Sequence, residues 1–220
     1  MYIIKVGGGA GVNAAGVAAD LAELRVPALV VLGANAVRDD IAQRLGTPRQ
    51  VITSQSGYTS VFSDEPAMDA ILMGYAGLRA NRFVEMCQRR GVNAISLTGI
   101  DGRTVQGERN KGIRVREGGK TLIKRDFSGK PREANGALLK LLMDNGYTPV
   151  LTIPIVDERG YAINSENDDI VNVLQAAVGA DKIIQLIEAP GFLDDAADES
   201  TVIREMTKAE VDRREATVEG

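Results

Sequence analysis

Histidine and tryptophan are absent from these 220 residues, and cysteine occurs once. Without imidazole there is no His-based hydrolytic triad and no His metal site. Any chemistry must therefore rest on lysine, carboxylates and backbone amides, with room for a bound cation; no metal-ligating residues stand out. The lone Cys87 cannot close an intramolecular disulfide, which fits a reducing, cytoplasmic location. In RFVEMCQRR it reads as a small buried hydrophobe. No apolar run reaches membrane-spanning length. The start, MYIIKVGGGA, has no basic segment ahead of an apolar one, so no secretory signal is expected. A net charge of −4 speaks against wholesale binding of nucleic acid.

What is present is ordinary for a globular chain, 44% apolar and 25% charged residues, enough for one large or two small domains. Short apolar runs alternate with helical patterns. Residues 2–6, 28–32, 94–97, 149–154 and 182–187 read as strands. Residues 13–24, 34–45, 68–90, 131–145 and 170–179 read as helices, from apolar residues recurring at spacings of three and four. This rhythm predicts an α/β fold, a mainly parallel sheet with helices on both faces in a three-layer αβα sandwich. Ligands of such sheets sit at the carboxyl ends of the strands. Three strands end there in glycine, at Gly7–Gly9, Gly33 and Gly99, which predicts one shared crevice.

Residues 103–132 break the rhythm. They hold ten Lys and Arg against three acids, +7, leaving −11 for the rest of the chain. Alternation around Gly118-Gly119 predicts a β-hairpin turning on that pair. It is either a solvated hairpin or a docking patch for an acidic partner or anionic substrate.

Two segments carry candidate chemistry. In Lys5-Val6-Gly7-Gly8-Gly9-Ala10-Gly11 a lysine precedes a glycine turn between a strand and a helix. Such a turn lets backbone N–H groups approach phosphate oxygens, and the lysine adds a point charge. The order differs from that of a P-loop and of a dinucleotide fingerprint; alone, the run is equally a tight turn. In Asn164-Ser165-Glu166-Asn167-Asp168-Asp169 the acids open a helix, where they suit the helix dipole and can cap it. The segment follows a strand, so it also belongs near the crevice, where an Asp beside Lys5 would orient that lysine.

Together these segments resemble the amino acid kinase family, and within it the acetylglutamate kinase and carrier-linked 2-aminoadipate kinase branch. The resemblance covers essentially the whole chain, through IIKVGGGAG at 3–11, YAGLRANRFVEMCQRRGVNAISLTGIDGR at 75–103, GYTPVLTIP at 146–154, INSENDD at 163–169 and APGFL at 189–193. It implies a carbamate kinase-like fold, with residues 1–169 as a substrate lobe and 170–220 as the start of a nucleotide lobe. It implies ATP with Mg²⁺, transfer of the γ-phosphoryl group to a side-chain carboxylate, and a homodimer. Lys5 and Asp168 would be catalytic. Gly7, Gly8, Gly9 and Gly33 would bind phosphate. Ala34, Gly57, Val61 and Asn164 would line the acceptor, and Glu188 and Gly191 would face the nucleotide. The acceptor would be a small amino-acid derivative, free or presented on an acidic carrier protein.

Three departures qualify this. Leu32-Gly33-Ala34 keeps one glycine where the family has His-Gly-Gly. Val61 stands where the family has an arginine for the acceptor's α-carboxylate. The family continues past position 220 with a second catalytic lysine, so the C-terminal part is expected to be missing. The alternative is a non-catalytic or substrate-shifted paralogue that binds a ligand or partner; a third reading is a kinase for a carbamate or nucleoside monophosphate.

Overall fold

The computed structural model describes residues 1–53, 59–117, 120–195 and 197–218. In chain order, β1 (Tyr2–Val6), α1 (Ala14–Glu23), β2 (Ala28–Leu32) and α2 (Asn35–Arg44) lead into a small hairpin, β3 (Val51–Thr53) and β4 (Thr59–Val61). A long helical segment follows: α3 (Glu65–Ile71), a π-helical stretch (Leu72–Ala80) and α4 (Asn81–Gln88). Next come β5 (Ala94–Thr98), β6 (Val105–Arg109), β7 (Ile113–Glu117), β8 (Lys120–Lys124), β9 (Gly129–Ala134) and α5 (Gly136–Asp144). Then β10 (Thr148–Thr152), β11 (Ile155–Val156), β12 (Ala162–Ile163), α6 (Asn167–Val178) and β13 (Lys182–Leu186) complete a first compact unit, Met1–Leu186. The second unit, Ile187–Gly220, holds β14 (Phe192–Leu193) paired antiparallel with β15 (Val202–Ile203), and α7 (Lys208–Val218). The contact boundary therefore falls at 186/187. Helix α6 packs on α5, β1, β2 and β9 within the first unit.

The main sheet runs in the order β13-β1-β2-β10-β5, and every pairing is parallel. Its central strand β2, ALVVL, is apolar and buried along its whole length because both its faces are covered, whereas the edge strand β13, KIIQL, is largely exposed. Side chains alternate between two cores. Ile3, Leu29, Val31 and Leu151 pack with Met68, Ile71, Tyr75, Leu139, Ile170 and Leu174 on one face. Ile4, Val6, Val30 and Leu32 pack with Val17, Leu21, Phe83 and Cys87 on the other. This is the three-layer αβα arrangement that the sequence predicts. Caps fix the helix starts: Asn13 Oδ1 accepts from Gly16 N, Asp64 Oδ1 from Ala67 N and Asn135 Oδ1 from Leu138 N, at 2.9, 3.0 and 3.1 Å.

Several elements differ from expectation. Residues 131–134, expected to open a helix, belong to β9, and α5 starts at Gly136. A second sheet, β12-β11-β6-β9, stands beside the main one. The predicted basic hairpin is present as β7–β8; its expected turn, Gly118-Gly119, lies outside the described residues. Among the described residues no helix is long and apolar enough to cross a membrane.

Candidate active site

Lys5 shares a strand face with Ile3, two residues earlier, and Ile3 packs in the core that contains Ile170 and Leu174 of α6. That face delivers Lys5 to the first turn of α6, where Nζ donates to Asp168 Oδ1 at 2.5 Å. The lysine side chain is 12% exposed and the aspartate 60%. The pair therefore joins an enclosed cation to a carboxylate at the edge of the cavity, and a charge-assisted bond of this kind fixes the ammonium's direction.

The glycine turn is braced by the main chain. Gly7 N donates to Leu186 O and Gly33 N to Val6 O, each at 2.8 Å, while Ala36 N donates to Gly8 O at 2.9 Å. Gly7 and Gly33 thus spend their N–H groups on the sheet, contrary to the expectation that they hold phosphate through those groups. The Gly8 N–H has no partner among the described residues and remains available. Gly9 does not line the cavity, and Gly99 packs against Ile155 instead of joining the crevice. Ala34 is fully buried in the core. It packs in the core and does not line the cavity, contrary to the expectation that it would line the acceptor.

An open cavity of about 1160 Å³ lies at these strand ends, and all its lining residues belong to the first unit. Lys5, Gly7, Gly8, Gly33, Val61, Asn164 and Asp168 meet there. Asn164 is held from several sides: Nδ2 donates to Ser63 Oγ at 3.0 Å, N donates to Phe127 O at 2.7 Å, and O accepts from Gly129 N at 2.9 Å. Buried Asp126 ties the same region together, accepting from Ser63 N at 3.0 Å and from Ser128 Oγ at 2.6 Å. Its carbonyl accepts from Arg109 Nε at 2.8 Å, and the Arg109 guanidinium lies 4.1 Å from the Phe127 ring centroid. Gly57 lies outside the described residues. Glu188 and Gly191 belong to the second unit, where Gly191 has φ +151°.

Sequence reasoning missed Asn35, Arg38, Arg49 and Tyr75, which also line the cavity. Tyr75 comes from the π-helical stretch, a distortion frequent at functional sites. Its hydroxyl donates to Asn35 Oδ1 at 2.5 Å and accepts from the Ala34 backbone. Burial raises its pKa, opposed by Arg38 and assisted by Glu166, so the phenol is a neutral donor fixing the turn after β2. The cavity also has a strong positive side: Arg38, Arg49, Lys111, Arg114 and Lys130. Arg38 is bound to Asp39 at 2.8 Å. Among the described residues no partner satisfies Ser165 Oγ or Asn167 Oδ1, both buried atoms of residues that line the cavity.

The arrangement offers a directed ammonium, a free amide on a glycine turn, and cations facing an anchored asparagine. It suits the binding of polyanions and the transfer of a negatively charged group. The sequence profile of the amino acid kinase family matches residues 1–220. LysW-aminoadipate kinase of Thermus thermophilus is 38% identical over 210 residues, covering 94% of this chain and 78% of that protein. Acetylglutamate kinase of Methanopyrus kandleri is 27% identical over 215 residues, covering 98% and 82%. Among solved structures, Giardia carbamate kinase superposes with a TM-score of 0.64 at 11% identity, over 98% of this chain and 81% of that one.

Proposed function

The chain belongs to the amino acid kinase family, and from that premise we propose that it transfers the γ-phosphoryl group of ATP to a side-chain carboxylate. The product is an acyl phosphate, formed from an acceptor of the N-acetylglutamate or carrier-linked 2-aminoadipate type, in arginine or lysine biosynthesis. The observation that carries the reading is the Lys5–Asp168 bond beside the Gly8 turn, inside a cavity rich in cations.

In this reading an acceptor carboxylate oxygen attacks the γ-phosphorus in line. The new O–P bond forms as the bond to the β,γ-bridging oxygen breaks, and ADP departs with that electron pair. A carboxylate is already ionised at neutral pH, so no general base is required, and a chain without histidine loses nothing. Lys5 stabilises charge on the transferring group, Asp168 holds Lys5 in direction, and the Gly8 N–H donates to a phosphate oxygen. Asn164 orients the acceptor. Glu188 and Gly191 serve the nucleotide, with residues 170–220 contributing to its lobe and 1–169 to the acceptor's. Mg²⁺ would suit the hard oxygen donors here: the carboxylates of Glu166 and Asp169 line the cavity with no hydrogen-bond or ion-pair partner among the described residues, and would hold the ion, whose charge would offset that of the phosphates. The cations of β7 and β9 suit docking of an acidic carrier that presents the acceptor. The enzyme would work in the cytoplasm, as a homodimer, without nucleic acid or membrane.

ATP turnover in hydroxylamine, which traps acyl phosphates as hydroxamates, tests the proposal. The probes are N-acetylglutamate, N-acetyl-2-aminoadipate and an acidic peptide bearing amide-linked 2-aminoadipate. Hydroxamate from at least one is expected; none from any would sink the reading.

A further inference from the structure

Each of these acceptors carries a second carboxylate, which is not phosphorylated and keeps its charge throughout the reaction. Held in a cavity, that group requires a cation or several donors. Val61 supplies neither. Arg38 is already bound to Asp39 at 2.8 Å. Lys111, Arg114 and Lys130 come from β7, β9 and the approach to them. Like them, Arg49 lines the cavity with no ion pair or hydrogen bond on its guanidinium among the described residues; it differs in coming from the segment that enters β3, on the hairpin that carries Val61.

Its position follows from the hairpin register. Val51 faces Val61, and Phe62 N donates to Gln50 O at 2.9 Å, which extends the ladder one step beyond the strand ends. Residues two apart on a strand share a face, so Arg49 lies on the face of Val51 and Val61. It stands diagonal to Val61, a separation that long side chains bridge. Continuing the register places it opposite Ser63, whose Oγ accepts from Asn164 Nδ2 at 3.0 Å. Arg49, Val61 and Asn164 all line the cavity, while Gln50 and Phe62, on the other face, do not.

We infer that Arg49 grips the acceptor's non-reacting carboxylate, its planar fork donating to both oxygens beside the Ser63–Asn164 bond. The short side chain of Val61 leaves the neighbouring position open for it. Arg49 is thus the specificity-determining residue for acceptors with a second carboxylate, an assignment that rests on the carboxylate-kinase reading.

The test uses whichever of the three probes the wild type converts to hydroxamate, together with that probe's carboxamide analogue at the non-reacting carboxylate. Arg49→Gln is expected to raise the acceptor KM by roughly 10–100-fold, with kcat and the KM for ATP within about twofold of wild type. Arg49→Lys falls between, because it keeps the charge and loses the fork. Wild type prefers the carboxylate to the carboxamide, and Arg49→Gln loses that preference. An unchanged acceptor KM in Arg49→Gln, or a preference that survives the substitution, overturns the role of Arg49 and leaves the kinase reading standing. A wild type that forms no hydroxamate with any probe overturns the kinase reading, and the role of Arg49 with it.

Discussion

Gly8 and Gly33 each occupy the space that the other's side chain would need. A Cβ on Gly8 would lie 2.5 Å from Asn35 N, 2.6 Å from Ala34 N and 3.0 Å from Gly33 C; one on Gly33 would lie 2.6 Å from Gly8 N. The turns after β1 and β2 therefore touch backbone to backbone. The glycines serve this contact first, and the exposed amide of Gly8 is its by-product.

Gly8→Ala must push the two turns apart, at a cost of about 1–3 kcal/mol, and should also lower kcat by displacing the free amide. Gly77→Ala is the control. Its Cβ would meet only Leu72 O, at 3.6 Å, and replacing a helical glycine should gain about 0.5–1 kcal/mol. Urea denaturation of both variants, alongside hydroxamate kinetics, checks the contrast.

Lys5→Ala removes the ammonium that Asp168 directs. Turnover should fall by ~10²–10³-fold or more, while circular dichroism and the acceptor KM stay near wild type. An active Lys5→Ala enzyme would refute the role given to the β1 turn.

Lys111→Glu combined with Arg114→Glu reverses two charges at the cavity rim. The KM for the acidic peptide-linked acceptor should rise much more than that for the N-acetyl acceptor. The difference should shrink as salt shortens the screening length to about 3 Å at 1 M. Equal effects on both acceptors would remove the case for carrier docking.

The Cys87 thiol is fully buried, and burial raises its pKa to about 11. Because the fold holds the protonated form, its contribution is complete below the ordinary thiol pKa and is lost as pH rises through about 11. Urea midpoints of wild type and Cys87→Ala should therefore converge between about pH 9 and pH 11, with wild type the more stable at neutral pH. A constant gap across that window would count against it.

The parts of this molecule that were legible in its sequence are those whose pattern has one physical cause. Strand β2 is apolar throughout because both its faces are covered, and ALVVL at 28–32 could hardly be anything else. Lys5 and Asp168 were found because a lysine before a glycine turn and an acid at a helix start are local signals. β6 and β9 were not: VQGER and GKPREA carry charges, glycine and a proline, and are strands because of their pairing in the second sheet, β6 with both β9 and β11. Pro131 in particular resembles a first-turn helix proline, which displaced the expected start of α5. The π-helical stretch hides inside a pattern that fits an ordinary helix, so Tyr75 gave no sign of reaching Asn35. Arg49 was invisible for a further reason. Its meaning depends on register across a hairpin, and a guanidinium on a charged loop has no local signature.

Asp126 gives the basic hairpin a stiff root. Its carboxylate binds Ser63, its carbonyl receives Arg109, and its neighbour Phe127 exchanges backbone hydrogen bonds with Ser63 and Asn164. The strand entering the hairpin, the segment leaving it and the asparagine that lines the cavity thus meet in one joint around buried Asp126. One substitution there, Asp126→Ala, would therefore loosen the base of the hairpin and the seat of Asn164 together, because the same few bonds hold both.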